Sequence, residues 1–179
     1  MALTVKVDPG KHTIRITKSG YFPIKFDVTV EAGKTYNISK TLIPTDALII
    51  EWTRIDPSEP KIGDRVRLHY SIRNRTNINV RGRIKATFDG QTRTYEFTLS
   101  PNRNIVGSVD LGTFNSVKSV TVIAEAQVYV EEHERGAGWY TTDRKTITFT
   151  VKERKATITI TTSPSGASVY IDGRYVGTT

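Results

Sequence analysis

Apolar and polar residues alternate with a period of two through almost the whole chain. No window of about a dozen residues keeps the three-to-four spacing of an amphipathic helix. The first 44 residues contain four short alternating runs separated by turn residues: 3–7, 13–17, 22–30 and 36–42. The pattern therefore predicts an all-β protein.

Longer alternating segments fill the middle of the chain, at residues 47–54, 65–73, 80–88, 92–99, 105–111, 117–131 and 139–151. Seven strands in about a hundred residues are typical of an immunoglobulin-like sandwich of two packed sheets. The Lys-Glu-Arg-Lys run at residues 152–155 then predicts a short charged linker.

The last segment, residues 156–179, has the pattern expected for the first strands of a β domain, without the further strands that such a domain needs. Ile158 and Ile160 alternate with threonines, and Val169 and Ile171 begin a second strand after a turn. Two strands are marginal alone, because about three strands with a shared apolar face are needed for independent stability. We therefore expect the partner strands of this hairpin to lie elsewhere.

Placed ahead of residues 1–44, residues 156–179 complete one continuous all-β unit. This composite resembles the PEGA domain, a small β-sandwich of exported and cell-surface proteins. The resemblance is carried by the sequences SPSGA, VYIDG and GTT in one half and VDPGKHTI and KSGY in the other, at residues 163–167, 169–173, 177–179, 7–14 and 18–21. Ser165 stands where the family's name-giving motif has glutamate.

The middle region resembles the cell-adhesion-related sandwiches called CARDB, through residues 60–64 (PKIGD), the strand at 66–74 and the FDG turn at 88–90. The predicted domains are thus 1–44 and 156–179, two parts of a PEGA-like unit, and 45–155, an immunoglobulin-like sandwich between them. Both resemblances imply binding or scaffolding rather than catalysis, and an extracellular or cell-surface location.

The two halves of the PEGA-like unit can be joined in two ways. In a seven-stranded sandwich the first strand enters at one pole and the last leaves at the other, roughly 25 Å away at ~3.3 Å per residue. The linkers at 44–46 and 152–155 span only about 10 to 14 Å each. Closure within one chain is therefore strained, and the easier solution is for the tail of one chain to complete the body of the next.

Head-to-tail contacts of this kind give open filaments unless a rotation closes a ring. The predicted subunit-linking residues are the apolar ones of both halves: Ile158, Ile160, Val169, Ile171, Val5, Val7, Ile14, Ile16 and Leu42. The alternative is that the chain is an adhesion or cell-wall-binding module cut from a longer array of alternating domains.

Composition narrows the chemistry that the chain can carry. It has no cysteine, which excludes a disulfide framework, a thiol catalyst and a thiolate metal site. Its histidines are far apart, and the Glu-Glu-His-Glu run at 131–134 falls at a predicted hairpin tip, where charged residues are expected. We predict a protein that is not an enzyme, has no cofactor or bound metal, and contains no transmembrane segment.

The formal net charge of +8 leaves room for an acidic partner. Arg65 and Arg67 lie on one predicted strand, and Arg81, Arg83 and Lys85 on another. These strands belong to opposite sheets in an immunoglobulin-like sandwich, so one continuous patch is not expected. An anionic cell-surface polysaccharide is a candidate ligand, whereas nucleic acid is disfavoured because no stacking aromatics alternate with the charges.

Two N-glycosylation sequons begin at Asn37 and Asn74. Such tripeptides permit glycosylation only in an exported protein and only where the asparagine is accessible. Both residues are therefore candidate acceptors.

Overall fold

The computed structural model describes residues 3–179, which fold entirely as strands, turns and loops; residues 1 and 2 of the predicted N-terminal unit lie outside the described residues. The strands are β1 (Gly10–Ile16), β2 (Ile24–Val30), β3 (Leu48–Asp56), β4 (Arg65–Asn74), β5 (Val80–Phe88), β6 (Gln91–Leu99), β7 (Asn104–Thr113), β8 (Lys118–Val130), β9 (Gly138–Val151), β10 (Ser168–Ile171) and β11 (Arg174–Thr178). The all-β prediction is confirmed. Within residues 3–179 no helix has the length and apolar character needed to cross a membrane.

The middle of the chain forms the predicted seven-stranded sandwich. One sheet has the order β3-β4-β7 and the other the order β6-β5-β8-β9. Neighbouring strands in both sheets are antiparallel. Their ends differ from the predicted segments by at most two residues, because each strand carries its own alternating pattern.

The core lies between the two sheets, where every second side chain of β4 and β8 points inward. Leu68 and Ile72 on one sheet and Val120 and Val122 on the other are completely buried. Alternation in residues 92–99 places Tyr95 on the same face as Phe97 and predicts that it points inward, but Tyr95 is 54% exposed whereas Phe97 is buried. It stands on the edge strand β6, where it lines a shallow groove of about 230 Å³ between β6 and β7.

Each end of the chain forms a separate two-stranded hairpin. β1 pairs with β2, with Ile14 opposite Phe26, and one face of this hairpin is apolar and half-buried. Its other face is polar, with Lys11 Nζ 2.7 Å from an Asp27 carboxylate oxygen. β10 pairs with β11, and a bulge follows Val169.

Three predicted strands are absent from the described structure. Residues 3–7, 36–42 and 156–162 have the alternating pattern but take part in no strand ladder. The prediction of strands at these positions was wrong for the single chain. A strand needs a neighbour to accept its backbone hydrogen bonds, and these segments have none.

Candidate subunit-linking surfaces

The N-terminal hairpin is docked on the turn between β8 and β9. Ile24 forms an antiparallel bridge with His133, and the Lys25 backbone N–H donates a hydrogen bond to the Glu132 carbonyl at 2.7 Å. Because main-chain bonds hold the start of β2 to this turn, the hairpin has a defined position at one pole of the sandwich.

Aromatic packing fills this junction. Phe22 and His133 are both buried, and the His133 ring stacks on Tyr140 with 3.7 Å between ring centroids. Phe22 meets the same imidazole edge-on at 5.9 Å. The Arg135 backbone N–H donates to His133 Nδ1 at 3.1 Å, and burial lowers the pKa of His133. The neutral ring is therefore the form that fits.

Two ion pairs brace the same junction from outside. Glu132 lies 2.6 Å from Lys40, and Glu134 lies 2.7 Å from Arg15. Two carboxylates of the acidic run at residues 131–134 are thus engaged in holding the N-terminal part of the chain. The sequence pattern predicted His133 at a hairpin tip and did not indicate its contacts with the N-terminal hairpin. No local pattern identifies a histidine that a distant segment covers.

The C-terminal tail leaves from the opposite pole. The Lys152 backbone N–H donates to the Pro60 carbonyl at 2.8 Å, and the Ile62 N–H donates to the Lys152 carbonyl at 2.9 Å. Arg154 forms an ion pair with Asp64. The linker is therefore fastened to the sandwich almost to its end.

The distance between the two poles follows from the length of β9. The N-terminal hairpin sits on the turn before β9, and the tail begins after it. Fourteen residues of strand span roughly 45 Å at ~3.3 Å per residue. Within residues 3–179, no strand pairing joins 3–44 to 156–179.

The predicted subunit-linking residues divide into exposed and partly covered ones. Ile158 is 69% exposed and Val5 is 65% exposed, and Val7, Ile160 and Ile171 are also exposed. The partly covered residues are Ile14, Ile16, Leu42 and Val169. Both ends of the chain therefore present apolar side chains that their own fold does not bury.

Comparison with known proteins identifies what these two ends have in common. The PEGA domain family model matches residues 2–46 and 155–179. The predicted resemblance to the PEGA domain, and its division between the two ends of the chain, is confirmed. No curated protein matches the chain. The CARDB likeness of the middle region stays a prediction.

The five basic residues do not form one surface, because β4 and β5 belong to different sheets. On β4, Arg65 pairs with Asp110, and this hydrogen bond together with the Gly112 N–H holds the pKa of Asp110 at about 2. Arg67 follows on the same strand and has no ion pair among the described residues.

On β5 the cations are stacked and paired. The guanidinium of Arg81 lies 4.8 Å from the Tyr129 ring centroid, and that of Arg83 lies 4.5 Å from the Trp139 ring centroid. Arg81 also pairs with Glu96. Lys85 pairs with Glu125 at 3.2 Å. The outer face of this sheet is thus a cation and aromatic surface whose charge is partly neutralised.

One predicted glycosylation site is ruled out by burial. Asn74 is completely buried, and its side-chain nitrogen donates to the carbonyls of Ile78, Leu99 and Ser100 at 2.8 to 3.1 Å. Its oxygen accepts from Thr76. Asn74 is therefore a structural residue that leaves no room for a glycan in the folded protein. Asn37 is exposed and stays a candidate acceptor.

Proposed function

We propose that this chain is a non-catalytic structural protein of an extracellular or cell-surface assembly. The C-terminal part of its split PEGA-like unit completes the N-terminal part of a neighbouring copy, which gives head-to-tail filaments. PEGA domains are typical of extracellular and periplasmic surface proteins, which supports the location.

The observation that carries the proposal is the attachment of the two PEGA-like parts at opposite poles. The sandwich separates them by roughly 45 Å along β9, at ~3.3 Å per residue. Residues 152–155 can span only about 13 Å, and most of this linker is fastened to residues 60–64. A second copy supplies the missing part without moving either attachment.

Exposed apolar side chains provide the driving force. Ile158 and Ile160 in the tail are exposed, and the apolar face of the β1–β2 hairpin is only half-buried. Complete burial of one such side chain contributes about 1.5–3 kcal/mol to the free energy of association. Main-chain hydrogen bonds to an added strand provide further affinity, as in other cases of strand addition.

The decisive experiment changes only the apolar face of the C-terminal tail, which would enter the neighbouring copy. Ile158→Asp is expected to leave a folded monomer and to abolish filaments, because it places a charge where the tail should enter an apolar core. Thr157→Asp is the matched control, since it puts the same charge on the opposite face of the same segment. Sedimentation and electron microscopy report the outcome, and filaments that tolerate Ile158→Asp would refute the proposal.

A mixing experiment tests the head-to-tail direction. A chain with Ile158→Asp has a defective C-terminal part but an intact N-terminal part, which can still receive the tail of another copy. A chain with Ile14→Asp has a defective N-terminal part but an intact tail. The mixture is therefore expected to form one-to-one dimers and nothing longer. Dimers in either variant alone would indicate a symmetric contact instead.

A second candidate function is binding of an anionic polysaccharide by the β5 surface. The stacks of Arg81 on Tyr129 and of Arg83 on Trp139 support it, since they present planar cations beside aromatic faces. Binding to a uronic-acid polymer should weaken between 50 and 200 mM salt, at about the ionic strengths where screening acts. Unchanged binding would remove the electrostatic basis of this function.

A further inference from the structure

We propose that residues 156–162 of a neighbouring copy enter between residues 3–7 and residues 36–42, as the central strand of a three-stranded sheet that the single chain lacks. This inference rests on the proposed function and adds to it the seat of the incoming strand. The occupant is a defined segment of a second copy of this chain.

The first support is which strands the single chain does form. β1 pairs with β2 and β10 with β11, so every strand formed at the two ends has its partner next in sequence. The three alternating segments without a ladder are 3–7, 36–42 and 156–162. Their partners are thus not their sequence neighbours.

The second support is that two of these segments already belong to the same part of the chain. Residues 3–7 and 36–42 both flank the β1–β2 hairpin, and Gly10 and Val30, from which they lead away, are register partners. Two segments that were neighbours in the completed sheet could pair within one copy. Among the described residues these two do not pair, which supports the position of a further strand between them.

Charge supports the same order of strands. Lys6 lies within 3–7 and Lys40 within 36–42, whereas residues 156–162 read Ala-Thr-Ile-Thr-Ile-Thr-Thr and carry no charge. Lysine is a common residue of edge strands, where it discourages further pairing. Uncharged β-branched residues favour a central strand that has neighbours on both sides.

The seat lies over an apolar surface that needs a second layer. Lys40 Nζ is 4.4 Å from the Phe26 ring centroid, so residues 36–42 run close to the hairpin's apolar face. The Ile43 carbonyl, which follows this segment, accepts from the Phe22 N–H at 2.9 Å. A strand with Ile158 and Ile160 on one side would place both side chains over Phe26 and its neighbours.

Hydrogen exchange on the full chain tests the inference. Amides of 3–7, 36–42 and 156–162 are expected to exchange at least about tenfold more slowly in filaments than in dilute monomer, because all three segments gain ladder bonds. Protection of only one flanking segment would place 156–162 at an edge and overturn the inference. Filaments without protection of either flank would overturn it too, while the proposed function would stand. Absence of any assembly would refute both.

Disulfide trapping gives a second measurement. The chain has no native cysteine, so only the introduced cysteines can form cross-links. A Thr159→Cys chain is mixed with a Lys6→Cys chain in one experiment and with a Ser39→Cys chain in another. Both mixtures are expected to yield cross-linked heterodimers. A Thr29→Cys chain is the control, because Thr29 lies on the polar face of the hairpin. Cross-linking to Thr29→Cys and to neither flank would contradict the central position.

Discussion

The sandwich and the two chain ends carry the same alternating pattern and reach opposite outcomes. In the sandwich the pattern produces complete burial, as at Val66 and Leu68. At the ends it leaves Ile158 69% exposed. The difference shows that alternation predicts the capacity to form a half-buried strand, whereas burial requires neighbours at the right place.

Neighbours distinguish the two regions at the level of single strands. β8 pairs with β5 on one side and with β9 on the other, so its backbone and its inward side chains are both satisfied. Residues 156–162 have no ladder on either side. The sandwich is therefore complete in one chain, and the ends keep unused pairing and burial capacity.

The largest expected effect contrasts one isoleucine of the tail with one leucine of the core. Leu68→Ala should lower the free energy of unfolding of the monomer by about 2–5 kcal/mol, because it leaves a cavity between the sheets. Ile158→Ala should change it by no more than about 0.5 kcal/mol, since the side chain is exposed. Urea denaturation of dilute protein measures both, and a comparable loss in Ile158→Ala would show that the tail is folded onto its own chain.

A buried polar residue should give an effect of intermediate size. Asn74→Ala should lower the free energy of unfolding by about 1–3 kcal/mol or more, because it leaves buried carbonyl groups without hydrogen-bond donors. Asn37→Ala, at an exposed position in the N-terminal end, should be nearly neutral and serves as the control. If the two variants unfolded alike in urea, the buried asparagine network would contribute nothing to stability.

The smallest expected effect concerns the junction where the two regions meet. Since burial lowers the pKa of His133, the unfolded state binds more protons, and stability should fall as the pH drops below about 6.5. Glu134 favours the charged ring and Arg135 opposes it. The other charged groups at this junction are Glu132 on the turn and Arg15, Lys25 and Lys40 in the N-terminal part.

Thermal unfolding measured between about pH 7.5 and about pH 5 can isolate the contribution of His133 to stability, because histidine titrates in about this range. His133→Phe keeps an aromatic ring in the seat and should remove part of the pH dependence. An identical pH dependence in wild type and His133→Phe would show that protonation of this ring does not loosen the junction.

Much of the fold was predictable because antiparallel pairing between sequence neighbours is local. β5 and β6 follow one another across a tight turn at Asp89 and Gly90, and the alternation in each strand set their facing sides. Prediction failed where a distant element decides. Tyr95 is exposed because its strand lies at a sheet edge, and Asn74 is buried because three backbone carbonyls from distant segments or the following loop converge on it.

The amino-acid sequence by itself determined the all-β fold class, the positions of the seven sandwich strands and the division of a PEGA-like unit between the chain ends. These properties depend on patterns and motifs within a few residues of one another. Only the tertiary structure decided that the N-terminal hairpin is seated on Glu132 and His133, and that the tail is fastened to residues 60–64. Those contacts join remote segments, and the length of β9 then sets the distance that keeps the two halves apart.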